Sequence, residues 1–222
     1  MKTTIIIPTR NEEENIGNII KKVKKYADEI IVVDGKSRDK TREVAKKLGA
    51  RVIIDEGRGK GAAERLAARN SKHNLLVFID ADGSYDPDDI KNLIEPIKKD
   101  NADLVLGSRM RGGSDELHSN LEQFLRLIGN VTMTLVINYR FNTRLTDCES
   151  GFRAIKKDVF FDIKTREDSF TIEQEVVIKC LKKGYRVAEV PTHEYKRGYG
   201  KSNLSLFIDG PKFIFSIIKN IL

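Results

Sequence analysis

The sequence predicts an α/β protein of a single domain, in which helices flank an open, mainly parallel, twisted sheet. Short apolar runs rich in β-branched residues alternate with segments of helical periodicity through the first half of the chain, which is the pattern of βαβ units. Polar and acidic residues follow several of these runs directly, at the position where ligands bind in such sheets. The 222 residues are enough for one substantial hydrophobic core.

The predicted elements follow in a regular order. Strands are predicted at the apolar runs 4–7, 30–33, 52–54, 75–79 and 104–106, and later at 150–156 and 185–190. Helices have apolar residues three and four positions apart and are predicted after Asn11, through Val44 to Leu48, at 62–69, from Pro87 to near Pro96, at 121–138 and at 173–183. We assign residues 1–204 to the domain and residues 205–222 to a C-terminal apolar or amphipathic helix.

The loops that follow the strands carry the candidate chemistry. If the strand order is 3-2-1-4, the first and fourth strands are neighbours at the point where the order reverses, and ligands bind there. The residues 8–12 follow the first strand, Asp34 follows the second, and Asp80-Ala81-Asp82 follows the fourth. We therefore expect these loops to face one crevice.

The Asp80-Ala81-Asp82 triplet predicts a site for a metal ion and a diphosphate. Two carboxylates at a strand end can share one divalent cation, and Mg²⁺ or Mn²⁺ prefers such hard oxygen ligands. Ser84 could add a third oxygen, directly or through water. The cation would neutralise charge on a departing diphosphate.

A glycine-rich segment at 57–61 has two open interpretations. Its glycines would let backbone N–H groups approach an anion, or it is a flexible turn between strand and helix. It does not have the spacing of a Walker A loop, and no GxGxxG follows the first strand. The sequence therefore argues against a dinucleotide-binding Rossmann enzyme.

The composition limits which classes of binding partner and which cellular compartment fit the protein. The net charge of +7 and the pI near 9.3 suit phosphorylated small molecules or anionic lipid, whereas no nucleic-acid-binding module is present. Cys148 and Cys180 lack CxxC spacing, so we expect neither a disulfide nor a zinc site. No signal peptide and no apolar run of about 18 residues is visible. These features predict a cytoplasmic protein, with or without peripheral contact to the cytoplasmic membrane face.

Seven ordered segments resemble family 2 glycosyltransferases of the GT-A (Rossmann-like) fold, above all the dolichyl-phosphate or polyprenyl-phosphate mannosyltransferases. They are IIIPTRNEEENIG, IVVDGKSRDKT, GRGKGAA, VFIDADGSYDP, LVLGSRMRGG, TDCESGFRAI and KRGYGKSNLS. The resemblance extends over roughly residues 3 to 206. The usual DDGS of that family is here Asp34-Gly35-Lys36-Ser37, which has one carboxylate fewer.

The resemblance implies roles for particular residues. The residues around the base and ribose of the donor would be Pro8, Arg10, Glu12 and Asp34. Those at the metal and diphosphate would be Asp80, Ala81, Asp82 and Ser84, of which Asp80, Asp82 and Ser84 would bind the metal. Those that hold donor or acceptor phosphate would be Arg109, Arg197 and Lys201, with Arg126 as a weaker candidate. Glu175 lies where the family has its acidic residue on the acceptor side.

The implied reaction is an inverting transfer of a sugar, with mannose from GDP-mannose favoured and UDP-glucose next, to a polyprenyl (dolichyl) phosphate. That acceptor is already anionic, so positioning and charge stabilisation would suffice. A soluble glycan or small-molecule acceptor stays open, and its hydroxyl would need a carboxylate base, Glu175 or Asp147. A third interpretation is an inactive nucleotide-sugar-binding scaffold, against which the intact Asp80-Ala81-Asp82 argues.

The apolar C-terminal segment, residues 205–222, is relevant to whether the acceptor is a lipid. It is too short to span a bilayer, which takes about 20 apolar residues. An interfacial helix that rests on a membrane beside a lipid carrier fits its composition. Packing against the domain core or in a homodimer fits as well, so the sequence leaves both open.

Overall fold

The computed structural model of the chain describes residues 1–116, 121–200 and 205–221, with only the backbone described at 206 and 207. Within these residues, seven strands form one sheet. The strands are β1 (Thr3–Thr9), β2 (Glu29–Asp34), β3 (Arg51–Ile54), β4 (Leu75–Phe78), β5 (Leu104–Ser108), β6 (Arg153–Lys156) and β7 (Val187–Pro191). Every strand overlaps one of the predicted runs.

The strand order is β3-β2-β1-β4-β6-β5-β7, which confirms the predicted order 3-2-1-4 and the mainly parallel sheet. The exception is β6, which lies between β4 and β5 and runs antiparallel to both. Its amino end is therefore at the carboxyl edge of its neighbours. As a result, the residues that precede β6 reach the same edge of the sheet as the loops after β1 and β4.

Nine helices of four residues or more lie within the described part of the chain, and two short 3₁₀ turns, Lys24–Tyr26 and Pro87–Asp89, accompany them. The helices are α1 (Glu13–Val23), α2 (Thr41–Lys47), α3 (Lys60–Asn70), α4 (Ile90–Lys98), α5 (Arg109–Gly112), α6 (Leu121–Phe141), α7 (Lys157–Asp162), α8 (Ile172–Lys182) and α9 (Leu206–Ile221). The predicted helix boundaries agree within a few residues, and α4 continues through Pro96 for two more residues.

The sheet separates two hydrophobic cores. Successive residues of a strand point to opposite faces, so Ile5 and Ile7 pack with α1 and α4 in one core, whereas Ile6 packs with α3 and α8 in the other. All three are fully buried. Ile137 of α6 and Ile217 of α9 belong to the second core, which anchors these two helices on one side of the sheet.

An ion pair is buried in this core directly below the carboxyl edge of the sheet. Arg153 of β6 and Glu64 of α3 both have no exposed surface, and the Arg153 guanidinium bonds to the Glu64 carboxylate. The guanidinium also lies 4.8 Å from the centre of the Phe78 ring. Buried charges of this kind are tolerated only when they are paired, because either one alone is costly to desolvate.

We therefore expect Arg153→Leu to lower the free energy of unfolding by about 3 kcal/mol, since it leaves Glu64 buried without its partner. The double variant Glu64→Leu with Arg153→Met removes both charges and should regain most of that loss. Urea unfolding measures both values. Lys99→Met breaks an exposed pair with Glu95 and serves as the control, with little expected effect. An equal loss in the single and double variants would contradict the pairing argument.

Candidate active site at the carboxyl edge of the sheet

A cleft of about 610 Å³ opens where β1, β2, β4 and the amino end of β6 meet. It is the crevice that the strand order predicts. Of the residues predicted for the site, those that line the cleft are Pro8, Arg10, Glu12, Asp80, Ala81, Asp82, Ser84, Arg109, Arg197 and the weaker candidate Arg126. The structure thus brings together most of the side chains that the sequence indicated. Lys201 lies outside the described residues.

Asp82 is held from two sides. Its Oδ1 accepts hydrogen bonds from the backbone N–H of Ser84 at 3.0 Å and from the Ser84 hydroxyl at 2.7 Å. Its Oδ2 lies 2.9 Å from Nη2 of Arg197, whose Nη1 bonds to Glu12 Oε1 at 2.8 Å. Arg197 therefore ties the loop after β1 to the loop after β4. Ser84 orients Asp82 here, and its role as a metal ligand stays a prediction.

Asp80 is paired with a lysine that comes from the glycine-rich segment. Nζ of Lys60, the first residue of α3, lies 2.6 Å from Asp80 Oδ1 and 2.6 Å from Glu173 Oε1. Burial raises the pKa of Asp80, but the Lys60 ammonium outweighs it, so the net pKa lies below its usual range. Asp80 is therefore an ionised carboxylate at neutral pH.

The donor set suits a divalent cation that also binds a diphosphate. With all groups ionised, the carboxylates of Glu12, Asp80, Asp82 and Glu173 face the basic groups of Lys60 and Arg197, so this cluster carries two uncompensated negative charges. Among the described residues, no three His, Cys, Asp or Glu side chains are grouped to hold a metal on their own. A cation here would therefore complete its shell with phosphate oxygens and water, which is the usual mode of Mg²⁺.

The glycines at 59 and 61 serve close packing. A Cβ at either position would collide with backbone of the 167–168 turn, and the N–H of Gly61 donates to the Asp168 carbonyl at 2.9 Å. This contact fixes the start of α3 and thereby places Lys60 in the cleft. The segment is therefore a closely packed turn between β3 and α3, while the phosphate contact stays a prediction that now rests on Lys60.

Arg109 lines the cleft and is held by two acidic side chains. Its Nε and Nη2 donate to the two oxygens of Asp147 at 2.7 and 2.9 Å, and Nη1 lies 3.3 Å from Glu194. Asp147 is fully buried and also accepts a bond from Asn130. Burial raises the pKa of Asp147, but Arg109 outweighs that effect and lowers it. Asp147 positions Arg109 and does not reach the cleft as a base.

Glu175 does not line the cleft, and its place on the acceptor side stays a prediction. Its carboxylate accepts the backbone N–H groups of Arg166 and Glu167 at 2.8 to 3.0 Å and lies 2.6 Å from Lys179. Residues two apart on a helix face different sides. The acidic residue of α8 that lines the cleft is therefore Glu173, which lies two residues before Glu175 and was not among the residues predicted from the sequence.

Asp34 lies between Val33 and Gly35, which line the cleft, but does not itself line it; its place around the donor stays a prediction. It is fully buried, and its Oδ2 accepts the Ser37 N–H at 3.0 Å and closes the turn after β2. Gly35 and Asp55 line the cleft at this end. Asp55 directly follows β3, so the strand-end rule applied to Asp34 and Asp80 would also have found it.

A second cavity of about 270 Å³ opens between α6 and α9 beside the main cleft. Its walls are mainly apolar and include Met133, Phe213 and Ile214. Glu149 and Arg126 line both spaces. Burial raises the pKa of Glu149 to about 8, against an opposing effect of Arg109. A neutral carboxylic acid therefore stands at the junction of the polar cleft and the apolar cavity near pH 7.

Comparison with known proteins agrees with this geometry. The sequence model of the family "Glycosyl transferase family 2" matches residues 4–163 of the chain. The chain belongs to this family. It is 32% identical over 212 residues to glycosyltransferase AglJ of Haloferax volcanii, covering 93% of this chain and 67% of that protein. It is 29% identical over 218 residues to the dolichyl-phosphate hexose transferase of the same organism, covering 97% and 92%.

Among solved structures, the chain resembles glucosyl-3-phosphoglycerate synthase from Mycobacterium tuberculosis in complex with Mn²⁺ and UDP-glucose. The TM-score is 0.78 at 21% identity, over 99% of this chain and 79% of that one. This likeness confirms the predicted GT-A fold. The family assignment confirms that the protein is a glycosyltransferase that takes a nucleotide sugar. In the described residues, no helix is long and apolar enough to cross a membrane.

The buried Glu149 predicts a pH dependence of stability. An unfolded glutamate titrates near pH 4.3, whereas Glu149 in the folded chain titrates at about 8. Between these values the unfolded chain releases a proton that the folded chain retains, so stability falls as the pH rises. Glu149→Gln removes this term, so its gain in Tm over the native chain should grow from about pH 4.3 to about pH 8 and then level. Glu43→Gln, at an exposed position, is the control, and its difference in Tm from the native chain should not change with pH. A pH-independent difference in Tm for Glu149→Gln would contradict the expectation.

Proposed function

We propose that the enzyme transfers a hexose from a nucleoside-diphosphate sugar to a polyprenyl phosphate, with a divalent cation at Asp80 and Asp82. The observation that supports the proposal is that the charged cleft adjoins the apolar cavity. A charged cleft built around Asp80-Ala81-Asp82 continues past Arg126 and Glu149 into an apolar cavity between α6 and α9. One ligand with a phosphate head and an apolar tail would fill both.

The donor would occupy the end of the cleft between the loops after β1, β2 and β3. Pro8, Arg10, Gly35 and Asp55 line that end and would surround the base and ribose. The diphosphate would then lie at Asp80 and Asp82, with Arg197 and Lys60 beside it. GDP-mannose is the favoured donor. UDP-glucose is the second candidate, because the structurally similar synthase was crystallised with it and Mn²⁺.

The reaction would be a single displacement with inversion at the anomeric carbon. An oxygen of the acceptor phosphate forms a bond to C1 while the bond from C1 to the nucleoside diphosphate breaks. A bound Mg²⁺ or Mn²⁺ supplies positive charge for the leaving diphosphate. Arg109 and Arg197 line the cleft and would hold the phosphates in line. Because the acceptor is anionic, the absence of Glu175 and Asp147 from the cleft is no obstacle.

The surface around the cavity suits a lipid-borne acceptor. α6 and α9 bury one face against the sheet, yet they expose large apolar side chains on the other. Those with more than half of their surface exposed are Leu121, Leu135, Tyr139, Ile208, Ile214, Phe215 and Ile218. An amphipathic surface of this kind binds at the interface of a bilayer. The similar dolichyl-phosphate hexose transferase carries the same acceptor in its name.

A hydroxyl acceptor on a soluble molecule is the alternative within the same enzyme class. It would need a carboxylate base. Besides the acidic residues at the proposed donor and diphosphate positions, Glu116, Glu149, Glu173 and Glu194 line the cleft, and Glu116 accepts the backbone N–H of Arg197 at 2.9 Å. Glu149 is protonated near neutral pH, and Glu173 and Glu194 are paired with Lys60 and Arg109. These charges favour the phosphate acceptor.

The metal assignment is tested with Asp82→Ala. The change removes a carboxylate that faces the diphosphate position, so the Mn²⁺-dependent part of GDP or UDP binding should fall by at least about tenfold. Calorimetry with and without Mn²⁺ measures that difference. Glu56→Ala removes an exposed carboxylate from the neighbouring loop and should leave it unchanged. Full Mn²⁺-dependent binding by Asp82→Ala would overturn the assignment.

The membrane assignment is tested by flotation with anionic liposomes. The native chain should float, and Ile214→Asp with Phe215→Asp should stay at the bottom, because both side chains are exposed on α9. Ile54→Asp introduces the same charge at a similarly exposed apolar residue of β3 and should float normally. If the native chain stays at the bottom, the membrane proposal fails, and a dimer in sedimentation would then account for the apolar surface.

A further inference from the structure

The ammonium of Lys60 stands between two acidic side chains in the innermost part of the cleft. It lies 2.6 Å from an oxygen of Asp80 and 2.6 Å from an oxygen of Glu173. These two oxygens are therefore within about 5 Å of each other. The side chains of Lys60 and Glu173 are each 8% exposed, against 29% for Asp80. The lysine thus closes the inner side of Asp80.

The position of this ammonium matches that of a bridging cation. A Mg²⁺ ion binds carboxylate oxygens at about 2.0–2.1 Å, so an ion bridging Asp80 and Glu173 would lie close to where Nζ now is. Both cannot be there together. A divalent cation that takes Oδ1 of Asp80 therefore competes with the Lys60 ammonium for this oxygen.

The surroundings leave the lysine little freedom. A Cβ added to Gly151 would come within 2.6 Å of Lys60 Nζ and of Asp80 Oδ2, and within 2.9 Å of Glu173 Oε1, so backbone closes one side of the cluster. The Phe170 ring centre lies 5.9 Å from Nζ on another side. The buried pair of Arg153 and Glu64 lies below.

We propose that Lys60 is a positioning residue that keeps a divalent cation off Asp80 until a nucleoside diphosphate is present. The inference rests on the proposed metal and diphosphate site. A cation alone gains few ligands from the described residues and loses the competition with the ammonium. A cation that arrives with a diphosphate gains phosphate oxygens, while Lys60 keeps Glu173 as its partner. Metal and nucleotide then strengthen each other's binding, and this coupling is reciprocal.

The test is the affinity for Mn²⁺, read from the spectrum of free Mn²⁺ by electron paramagnetic resonance, without nucleotide and with UDP or GDP. In the native chain, nucleotide should tighten Mn²⁺ binding by at least about tenfold. In Lys60→Met, Mn²⁺ alone should bind about tenfold more tightly than in the native chain, and the added effect of nucleotide should shrink. Lys91→Met removes an exposed lysine of α4 and should behave as the native chain does.

Two further variants test whether a change in Mn²⁺ affinity comes from the site itself or from a defect in folding. Lys60→Gln keeps a donor for Glu173 without the charge and should also tighten Mn²⁺ binding in the absence of nucleotide. The double variant Lys60→Met with Glu173→Gln removes the second carboxylate as well, so Mn²⁺ alone should bind more weakly than in Lys60→Met. This double-mutant comparison isolates the two-carboxylate site, and thermal unfolding confirms that each variant is folded.

The outcomes separate the two proposals. In one outcome, the native chain binds Mn²⁺ in the presence of nucleotide, but folded Lys60→Met and Lys60→Gln bind Mn²⁺ alone no more tightly than the native chain does. This outcome refutes the role of Lys60 and leaves the proposed metal site standing. Equal Mn²⁺ affinity of the native chain with and without nucleotide refutes that role as well. If no variant binds Mn²⁺ under any condition, both the role of Lys60 and the proposed metal site are refuted.

Discussion

The pairing of acidic groups at the carboxyl edge of the sheet is the constraint on which the rest of the site depends. Asp80 and Asp82 end a fully buried strand, where an unpaired carboxylate would be costly. Each has a basic partner from a distant segment: Lys60 from the start of α3 and Arg197 from the chain after β7. The pair of Arg197 with Asp82, together with the second contact of Lys60 with Glu173, connects the amino-terminal βαβ units to the carboxyl-terminal third of the domain.

The antiparallel β6 supplies the other half of this arrangement. Because it runs against β4 and β5, the segment before it crosses the ligand edge of the sheet. That segment contributes Asp147, which fixes Arg109, then Glu149 at the entrance of the apolar cavity, and Gly151, against which Lys60 and Asp80 pack. An all-parallel sheet would have placed these residues at the opposite edge. One reversed strand therefore gives the cleft the side that carries Arg109 and Glu149.

Sequence reasoning was most accurate where a local rule applies. Apolar runs located the seven strands of the described residues, and acidic residues after a strand end marked Glu12, Asp80 and Asp82, which share one cleft. The directions of side chains on helices and in turns were harder to predict than the elements themselves. On α8 the Glu-x-Glu pattern offers two carboxylates on different faces, and Asp34 closes its own turn below the cleft. Side-chain direction depends on packing, which a local pattern does not contain.

The sequence by itself determined the sheet, the strand order of its amino-terminal half, the edge at which the cleft opens and the enzyme family, because these follow from periodicity, strand-end position and ordered motifs. Only the tertiary structure decided which charges meet. Lys60 and Glu173 are 113 residues apart, and Glu12 and Arg197 are 185 apart. Contacts over such separations form only when loops from different parts of the chain meet at one edge of the sheet, and when glycines such as Gly59 and Gly61 let two backbone segments pack closely. The same holds for the apolar cavity between α6 and α9, which exists only when the two helices pack side by side.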